Sequence, residues 1–469
     1  MGAATTVERR SIEPIPAEER HGSPRSQFTL WFGANMQITA VVDGALAVVF
    51  GADAMWAIIG LLIGNVAGGA VMALHSAQGP RLGLPQMISS RAQFGVLGAA
   101  LPLVLVIIMY LGFAATGTVL SGQAITKILH VDASWIGIVI FGALTFVVAA
   151  FGYRWIHALG RVATVMGILG FAWLTYKLFA DYGASTLLGD PQFDGVSFLL
   201  AISLGAGWQL TFGPYVADYS RYLPEDTPER TTFLSTFAGS VVGSMWSMTL
   251  GALIASVPKN GFLGNQVGFV GDLAGGGAIA FVIYCVIVVG KLTVNTLNAY
   301  GGSMTMLTTA TGFTRSSVVR PVLRMACVFG FLAASVLVAL VASADFLDSF
   351  KNFVLVLLMV FTPWSAINLV DYYLVSRERV DVPALFDRHG RYGAWNVPAL
   401  VTYVVGVVAQ IPFLAQELYT GPITDALGGA DISWIIGLLL TAAIYYPWAK
   451  RTSNPPEQMI RYDDDRVPA

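Results

Sequence analysis

Twelve long apolar segments, separated by short polar gaps, make up most of this chain of 469 residues. Each is near or above the ~20 residues that a helix needs to cross the ~30 Å hydrocarbon core of a bilayer. A membrane helix satisfies its own backbone hydrogen bonds, so apolar stretches of this length form helices there. We therefore predict an all-α integral membrane protein with twelve transmembrane helices. The segments are 28–50, 53–75, 97–126, 133–152, 157–180, 196–217, 232–257, 278–310, 322–344, 350–375, 396–416 and 432–449.

The composition agrees with a membrane protein. Apolar residues make up 55 % of the chain and charged residues 12 %, and the mean hydropathy is +0.68. This balance excludes an ordinary soluble domain, and a formal net charge of −2 gives no indication of a nucleic-acid partner. Both cysteines, Cys285 and Cys327, lie in apolar segments, so neither a disulfide framework nor a zinc site is expected.

The distribution of positive charge predicts the orientation. Most of the 26 lysines and arginines lie in the N-terminal tail, in or beside every second gap, or in the C-terminal tail. The other gaps hold only Lys127, Lys177, Lys259 and Lys351. By the positive-inside rule, the number of spans is even and both termini are cytoplasmic, as in a multi-pass protein of the cytoplasmic membrane. One cation, Lys291, lies within a span.

The two ends of the chain are polar. Residues 1–27 read as a disordered cytoplasmic tail and not as a signal peptide, since no apolar stretch follows the first basic residues directly. Residues 451–469 read as a disordered cytoplasmic C-terminal tail. No gap is long enough for a soluble domain, so 28–450 is predicted to be a single transmembrane domain.

Two spans contain helix breakers together with amides at mid-membrane depth. The first reads WFGANMQ at 31–37, with Asn35 and Gln37. The sixth reads GAGWQLTFGP at 205–214, in which the glycines permit unwinding and Pro214 lacks a backbone donor. Broken helices at matching places in two halves point to a transporter's binding site.

The two breaks are five spans apart, as expected for inverted repeats. The first repeat would be 28–180 and the second 196–375, with two further helices at 396–449. An alternative interpretation is that the glycines only let helices pack closely, which is their commonest use in membranes.

The eighth span carries a strip of polar residues. Asn295 and Asn298 are three residues apart and share a face, so their amides suit the donor and acceptor edge of a planar, neutral ligand. In the third span Tyr110, Phe113 and Thr116 share a face; taken alone, aromatics at this spacing more often pack than bind.

Two ionisable residues lie within spans, Asp43 and Lys291. Charge at mid-membrane is costly and by default indicates function. The alternatives are that Asp43 lies near the outer water boundary, or that the two residues neutralise each other. Asp218 and Asp371 end spans on the cytoplasmic side, where we expect them to pair with Arg221 or Arg377 and shape an inner gate.

Residues 213–224, GPYVADYSRYLP, resemble the signature that ends the sixth helix of the purine–cytosine permeases, in the nucleobase–cation symporter-1 family. RAQFG at 91–95, the asparagine-rich eighth helix and DYYLV at 371–375 agree with this resemblance. It covers the chain between the tails. It implies a five-plus-five inverted repeat of the leucine-transporter type with two additional C-terminal helices. Such proteins take up neutral nitrogen heterocycles by symport with Na⁺ or H⁺.

The resemblance also implies roles for individual residues. Phe113 and Trp208 would be the aromatic pair that stacks on the substrate, and Gly207 would present backbone. The edge contacts would come from Gln37, Gln209, and Asn295 or Asn298. Stacking contributes ~0.5–1.5 kcal/mol per aromatic pair, and a wrong heterocycle would leave buried amides unpaired.

The ion site departs from the sodium-coupled pattern of that family. The positions matching its sodium ligands are Gly33, Met36, Gly290 and Thr293. Val294 replaces a second hydroxyl, and an ammonium at Lys291 would occupy the space of Na⁺. Our hypothesis is proton coupling, with Lys291 or Asp43 as the titrating group.

Other classes of function fit less well. A channel would need a continuous polar pore, and an intramembrane enzyme would need a cluster of nucleophiles, acids or metal ligands. An amino-acid carrier of the same fold would use helix-end amides to hold a carboxylate. The sequence indicates no cofactor beyond the coupling ion and no obligate protein partner. The substrate stays open among cytosine, purines, uracil, allantoin and hydantoins, with cytosine or a purine favoured by the sixth-helix signature.

Overall fold

A computed structural model describes residues 14–151, 153–257, 262–313, 321–416 and 419–461. In chain order, the α-helices are α1 (Pro24–Asn35), α2 (Ile38–Val49), α3 (Ala54–Leu82), α4 (Gln86–Ser89), α5 (Arg91–Phe94), α6 (Ala100–Leu129), α7 (Ser134–Phe151), α8 (Tyr153–Tyr182), α9 (Ala184–Leu188), α10 (Gly195–Leu210), α11 (Ala217–Ser220), α12 (Glu229–Ala255), α13 (Gln266–Leu273), α14 (Gly277–Phe313), α15 (Pro321–Ala342), α16 (Phe346–Leu369), α17 (Val397–Val408), α18 (Pro422–Ala426) and α19 (Ser433–Thr452).

Short elements connect these helices. Two-residue strands, β1 (Ala415–Gln416) and β2 (Tyr419–Thr420), form an antiparallel pair. A π-helical turn, Val370–Val375, continues α16. The 3₁₀ turns are Ala17–Glu19, Gly213–Tyr215, Pro383–Phe386 and Ile411–Phe413.

The helices confirm a membrane protein. Within the described residues, 7 helices are long and apolar enough to cross a bilayer, or 8 if the bent pair α1 and α2 is one span. They are α3, α6, α10 with its following turn, α12, α14, α15 and α16 with its following turn. Helices α7 and α17 are shorter and apolar, and α8 and α19 coincide with the predicted fifth and twelfth segments. The number of twelve spans stays a prediction.

Two groups of helices pack side by side. Helices α1, α2, α3, α10 and α12 contact one another, while α6, α7, α14 and α15 form a second group. Glycines bring the backbones of the first group together: a Cβ on Gly251 would overlap the carbonyl of Val41, and one on Gly44 would overlap the backbone of Met248. Close packing is therefore the role of many glycines in these spans.

The first span breaks where the sequence predicts. Helices α1 and α2 meet at a bend of 62°. Met36 has φ −80° and ψ 68°, and Gln37 is extended with φ −146° and ψ 153°. At the break, backbone carbonyls therefore lose their regular helical hydrogen bonds. The side chains before and after the break lie on different sides of the span.

The sixth span breaks later than predicted. Gly205 and Gly207 remain within α10, which ends at Leu210, and the chain then turns through Thr211 to the 3₁₀ turn that contains Pro214. The proline lacks an N–H, so the regular helix ends one turn before it. The glycines pack instead: Gly205 lies against α3 and Gly207 against α16.

Parts of both predicted tails lie against the helices. The backbone N–H of Ile15 donates to the carbonyl of Gly83 at 2.9 Å, and α1 begins at Pro24, before the predicted 28. Near the C-terminus, Ile460 exchanges backbone hydrogen bonds with Val380 and Val382. These contacts differ from the expected disorder over 14–27 and 453–461. Residues 1–13, 462–469 and Lys259 lie outside the described residues.

Candidate functional site

Asn35 ends α1, and both the oxygen and the nitrogen of its carboxamide form hydrogen bonds. Its Oδ1 accepts the indole N–H of Trp208 at 2.6 Å. Its Nδ2 donates to the carbonyl of Trp31 at 2.7 Å and to Ser240 Oγ at 3.1 Å. The break of the first span is thereby attached to α10 and α12.

Gln37, on the other side of the break, faces α14. Lys291 Nζ donates to Gln37 Oε1 at 2.7 Å. Gln37 Nε2 in turn donates to the carbonyl of Ala34 at 2.9 Å. Lys291 is only 3 % exposed. Gln37, predicted to touch the substrate edge, therefore uses its carboxamide on Lys291 and on the backbone of the break.

Phe113 and Trp208, which were expected to stack on the substrate, contact each other edge to face. Their ring centroids are 5.9 Å apart with an interplanar angle of 90°, and Phe113 also meets Phe353 at 5.2 Å. A flat ligand between two parallel rings would need about 7 Å, twice the ~3.5 Å of carbon–carbon contact. In this conformation the two aromatic residues close on each other, and Trp208 is 1 % exposed.

Gln209 points away from the aromatic pair. Its Nε2 donates to Asn65 Oδ1 at 2.8 Å and Ser244 Oγ at 3.1 Å, and its Oε1 accepts from Ser240 Oγ at 2.6 Å. Because α10 stays regular here, adjacent residues lie about 100° apart around its axis, so Gln209 faces α3 and α12 while Trp208 faces the break.

Gly207 backs onto α16. A Cβ there would lie 2.9 Å from Val354 Cγ1 and 3.5 Å from Leu358 Cβ. Gln209 does not point towards the aromatic pair, in contrast to its expected edge contact, and the carbonyl of Gly207 accepts the N–H of Thr211 at 3.0 Å. The sequence motif does not predict which face of α10 each residue occupies, because that depends on where the helix unwinds.

Two side-chain amide atoms on α14, one oxygen and one nitrogen, have no hydrogen-bond partner among the described residues. Asn295 Nδ2 donates to the carbonyl of Ala114 at 2.8 Å and to Thr118 Oγ1 at 3.1 Å. Its Oδ1 is buried without a partner among the described residues, as is Asn298 Nδ2. The shared face thus offers one acceptor and one donor beside α6.

Of the predicted ion-ligand positions, Gly33 and Met36 lie at the break of the first span, and Gly290 and Thr293 lie on α14. The carbonyl of Gly33 accepts from the N–H of Met36 at 3.1 Å. Thr293 Oγ1 donates to the carbonyl of Val289 at 3.1 Å, within its own helix. A Cβ on Gly290 would meet no atom within 4 Å. The part of the chain that is described contains no cluster of three His, Cys, Asp or Glu side chains suited to a metal.

Asp43 is 0 % exposed, and both carboxylate oxygens lack a partner among the described residues. Thr39 Oγ1, one helical turn earlier, also has no described partner. Lys291 bonds to Gln37 instead, so mutual neutralisation of Asp43 and Lys291 has no structural basis. Asp43 is enclosed by the neighbouring helices in this conformation.

Asp371 has uncharged partners that the sequence analysis did not foresee. Asp371 accepts from Tyr445 Oη at 3.0 Å and from Gln93 Nε2 and Ser376 Oγ, each at 3.2 Å. These donors take the place expected for Arg377. Asp218 Oδ1 accepts the backbone N–H of Gln86 at 2.8 Å.

The RAQFG motif binds the loop before α17. Arg91 Nη1 donates to the carbonyl of Leu385 at 3.2 Å, and burial lowers the pKa of its guanidinium to about 10, with the nearby charge of Arg388 acting in the same direction. Gly95 has φ +83°, and a Cβ there would lie 2.8 Å from the carbonyl oxygen of Ala394. The motif is therefore structural at this position.

Sequence reasoning missed several buried polar residues. Asn65 lies in the middle of the second span, where a polar residue among apolar ones was a readable signal. His75 was not recognised as buried; it stacks on Trp364 with centroids 4.6 Å apart, and its Nε2 is 3.1 Å from Ser365 Oγ. Ser240 belongs to a span rich in small residues, which gave no such signal.

Comparisons with known proteins agree over nearly the whole chain. A family model described as permease for cytosine/purines, uracil, thiamine and allantoin matches residues 14–437. The putative purine-cytosine permease YxlA of Bacillus subtilis is 39 % identical over 452 residues, covering 94 % of this chain and 95 % of that relative. The purine-cytosine permease fcyB of Emericella nidulans is 25 % identical over 470 residues, covering 95 % and 89 %.

Solved structures show a similar fold. The inward-facing conformation of Mhp1 matches with a TM-score of 0.77 and 19 % identity, covering 96 % of each chain. A closed conformation of Mhp1 with bromovinylhydantoin bound matches with a TM-score of 0.74 and 20 % identity, covering 95 % of this chain and 96 % of that chain. With the family model and the curated relatives, the conclusion is that this chain belongs to the family of permeases for cytosine, purines and related heterocycles, and is a membrane-embedded transporter, not an enzyme.

Proposed function

We propose that this protein imports a neutral nucleobase, cytosine or a purine, by proton symport across the cytoplasmic membrane. The names of its relatives support the substrate class. The single observation that carries the coupling proposal is the hydrogen bond of 2.7 Å between Lys291 and Gln37 at the break of the first span. An amine in this position supplies a positive charge where a coupling cation would otherwise bind.

The proposed architecture has twelve spans and both termini in the cytoplasm. Repeats at 28–180 and 196–375 are related by inverted topology, and 396–449 supplies the last two helices. The likeness to Mhp1 over 96 % of the chain supports this arrangement, as does the sidedness of the positive charges. Access then alternates around a central site between α1 and α2, α6, α10 and α14.

The substrate enters where Phe113 and Trp208 now touch. Opening their edge-to-face contact exposes two aromatic faces to a flat ring. Asn295 Oδ1 and Asn298 Nδ2 then offer an acceptor and a donor to the ring edge. Cytosine and amino-purines carry both an amino donor and ring acceptors, so each forms hydrogen bonds with both Asn295 Oδ1 and Asn298 Nδ2. A ring that leaves one unpaired loses about 1–3 kcal/mol of binding free energy.

Coupling follows from the charge of Lys291. The protonated amine donates a charge-assisted hydrogen bond to Gln37 Oε1, which is about twice as strong as a neutral one. An acidic exterior favours this form and the arrangement of the break that it stabilises. Release of the proton to the cytoplasm weakens the bond and lets the break rearrange.

Sodium coupling is the alternative within the same family. The carbonyls of Gly33, Met36 and Gly290 and the hydroxyl of Thr293 would then bind Na⁺. The amine of Lys291 at this break disfavours that alternative, since two positive charges in one buried site repel each other.

Uptake of radiolabelled cytosine and adenine by transporter-deficient cells tests the proposal, with Na⁺ removed and the external pH varied. We expect saturable uptake that survives Na⁺ removal and rises in acid. A strict requirement for Na⁺ would overturn proton coupling. Uptake of neither base would overturn the substrate assignment, and allantoin and hydantoins would be tested next.

A further inference from the structure

We propose that residues 370–378, at the end of α16, form a strained hinge that favours separation of α16 from its neighbours, and that Tyr445 on α19 opposes this separation. Under the proposed function, on which this assignment rests, this end of α16 lies at the cytoplasm, where the nucleobase is released. Helix α19 lies outside the proposed five-plus-five repeat, so Tyr445 acts as a positioning residue from beyond the transport core.

The backbone of the hinge departs from an α-helix twice. Val370–Val375 is a π-helical turn, and the N–H of Ser376 donates to the carbonyl of Asp371 at 2.7 Å. Arg377 and Glu378 follow with φ values of +49° and +63°. A π turn within a helix often marks a functional site, and a residue with a Cβ has a steric cost in the left-handed region. Two such residues in succession therefore store backbone strain at the end of α16.

Asp371 fixes the π turn to two other helices. It is only 4 % exposed, and it accepts hydrogen bonds from Tyr445 Oη on α19 at 3.0 Å and from Gln93 Nε2 on α5 at 3.2 Å. Ser376 Oγ, within the hinge, donates at 3.2 Å. Removal of the Tyr445 hydroxyl leaves Asp371 with two of these donors, so its carboxyl group stays hydrogen-bonded.

Glu378 fixes the strained end to α3. Its N–H donates to the carbonyl of Tyr372 at 2.7 Å, and its carboxylate pairs with Arg81, which also lies 3.4 Å from Glu229 on α12. The side chains of Arg81 and Glu378 are 38 % and 31 % exposed. Ion pairs this exposed contribute little to stability, so the buried hydrogen bonds of Asp371 are the stronger restraint on the hinge.

The same helix also reaches the candidate site. Phe353 on α16 packs against Phe113, with ring centroids 5.2 Å apart. A rotation of α16 about the hinge would break the hydrogen bonds of Asp371 and Asn368 at one end and would move Phe353 at the other. Strain present only while α16 is joined to its neighbours reduces the free-energy difference between the joined and separated states.

Two substitutions shift this equilibrium in opposite directions. Arg377→Gly removes the strain at that position, because glycine adopts a positive φ without steric cost. Arg377→Ala removes the same side chain but keeps a Cβ and therefore keeps the strain. Tyr445→Phe removes one donor to Asp371 and nothing else of the ring. We expect less frequent separation in Arg377→Gly than in Arg377→Ala, and more frequent separation in Tyr445→Phe than in the protein with an unaltered hinge.

A cysteine reporter measures separation without any substrate. Ser90 is 0 % exposed, and its Oγ accepts the indole N–H of Trp364 on α16 at 3.2 Å. The residue becomes accessible when α16 leaves α4 and α5. The experiment measures the rate at which Ser90→Cys reacts with a maleimide in the purified full-length protein. The background carries Cys285→Ser and Cys327→Ser, which removes both native thiols.

We expect the reporter to react at least about fivefold more slowly in Arg377→Gly than in Arg377→Ala, which is the lower end of the steric effect of one left-handed residue. We expect a faster reaction in Tyr445→Phe than with an unaltered hinge. His130 is the matched control, since it has φ +54° at the end of α6. The reporter is expected to react equally fast in His130→Gly and His130→Ala. Equal rates in Arg377→Gly and Arg377→Ala would overturn the hinge, and no acceleration in Tyr445→Phe would overturn the role of α19.

Uptake of radiolabelled cytosine and adenine into proteoliposomes links the hinge to transport. The maximal rate is expected to be lower in Arg377→Gly than in Arg377→Ala, because release requires separation of α16. Equal maximal rates in the two variants would overturn the assignment of the hinge to substrate release. Reporter rates that respond as expected, in a protein that transports neither nucleobase, would support the hinge and reject only the proposed substrate.

Discussion

Asp43 and Lys291 occupy the same apolar interior but have different surroundings. Lys291 has Gln37 Oε1 as an acceptor, whereas neither oxygen of Asp43 has a described partner. A buried charge without partners is among the most costly groups in a folded protein. We therefore expect Asp43 to be protonated and neutral in this conformation; under the proposed proton coupling, Lys291 is then the residue whose charge changes.

Asp43→Asn tests this division of roles, because asparagine has nearly the same shape and is always neutral. We expect proton-driven accumulation of nucleobase to persist in this variant, with a melting temperature in detergent close to that of wild type. Asp43→Ala serves as the control for lost volume. Loss of accumulation in Asp43→Asn, with exchange of substrate intact, would instead identify Asp43 as the proton carrier.

At the scale of elements, a polar network joins α1, α3, α10 and α12. It runs from Asn35 through Ser240 to Gln209, and from there to Asn65 and Ser244. Each member satisfies a neighbour that would otherwise be an unpaired polar group in an apolar interior. These helices are thereby expected to move together when access to the site alternates.

Gln209→Ala removes the centre of this network. It leaves groups of Asn65, Ser240 and Ser244 unpaired, at about 1–3 kcal/mol each. We expect a clearly lower melting temperature in detergent, compared with the exposed control Thr29→Ala on α1. A melting temperature equal to that of the control would show that the network contributes no stability.

Gly251→Ala tests the contact between α2 and α12. The added Cβ would overlap the carbonyl of Val41, so the two helices must separate, and overpacking of this kind typically costs about 1–3 kcal/mol. Gly330→Ala is the matched control on α15, where a Cβ meets no atom within 4 Å. We expect a lower yield of folded protein and a lower melting temperature for Gly251→Ala alone. Equal behaviour of the two variants would refute the close contact.

The sequence predicted the helices more reliably than the directions of side chains. The apolar segments and the break near Gln37 follow from hydropathy and helix breakers. The direction of Gln209 does not, because it depends on whether α10 unwinds before or after that residue. The regular helix ends one turn before Pro214 and not at the glycines. The turn that contains Gly205 and Gly207 therefore stays helical, although it was expected to unwind.

At the scale of the whole molecule, side-chain contacts join helices at the candidate site and at a second, polar cluster. Phe113 and Trp208 touch edge to face, and buried side chains of α5, α16 and α19 meet through Gln93, Asn368 and Asp371. Gln78 extends this set to α3 by donating to Asn368 at 3.0 Å. Separating these helices must break these hydrogen bonds, including the three that Asp371 accepts.

The central claim is that the amine of Lys291 replaces a bound cation and makes this permease proton-coupled. Its most direct test is the accumulation of radiolabelled nucleobase in sodium-free proteoliposomes with an inwardly directed proton gradient. Wild-type protein is expected to concentrate the nucleobase and to lose the gradient of substrate when a protonophore is added. The Lys291→Met variant is expected only to equalise the nucleobase concentration across the membrane, without accumulation. Accumulation that needs Na⁺, or that persists in Lys291→Met, would contradict the account.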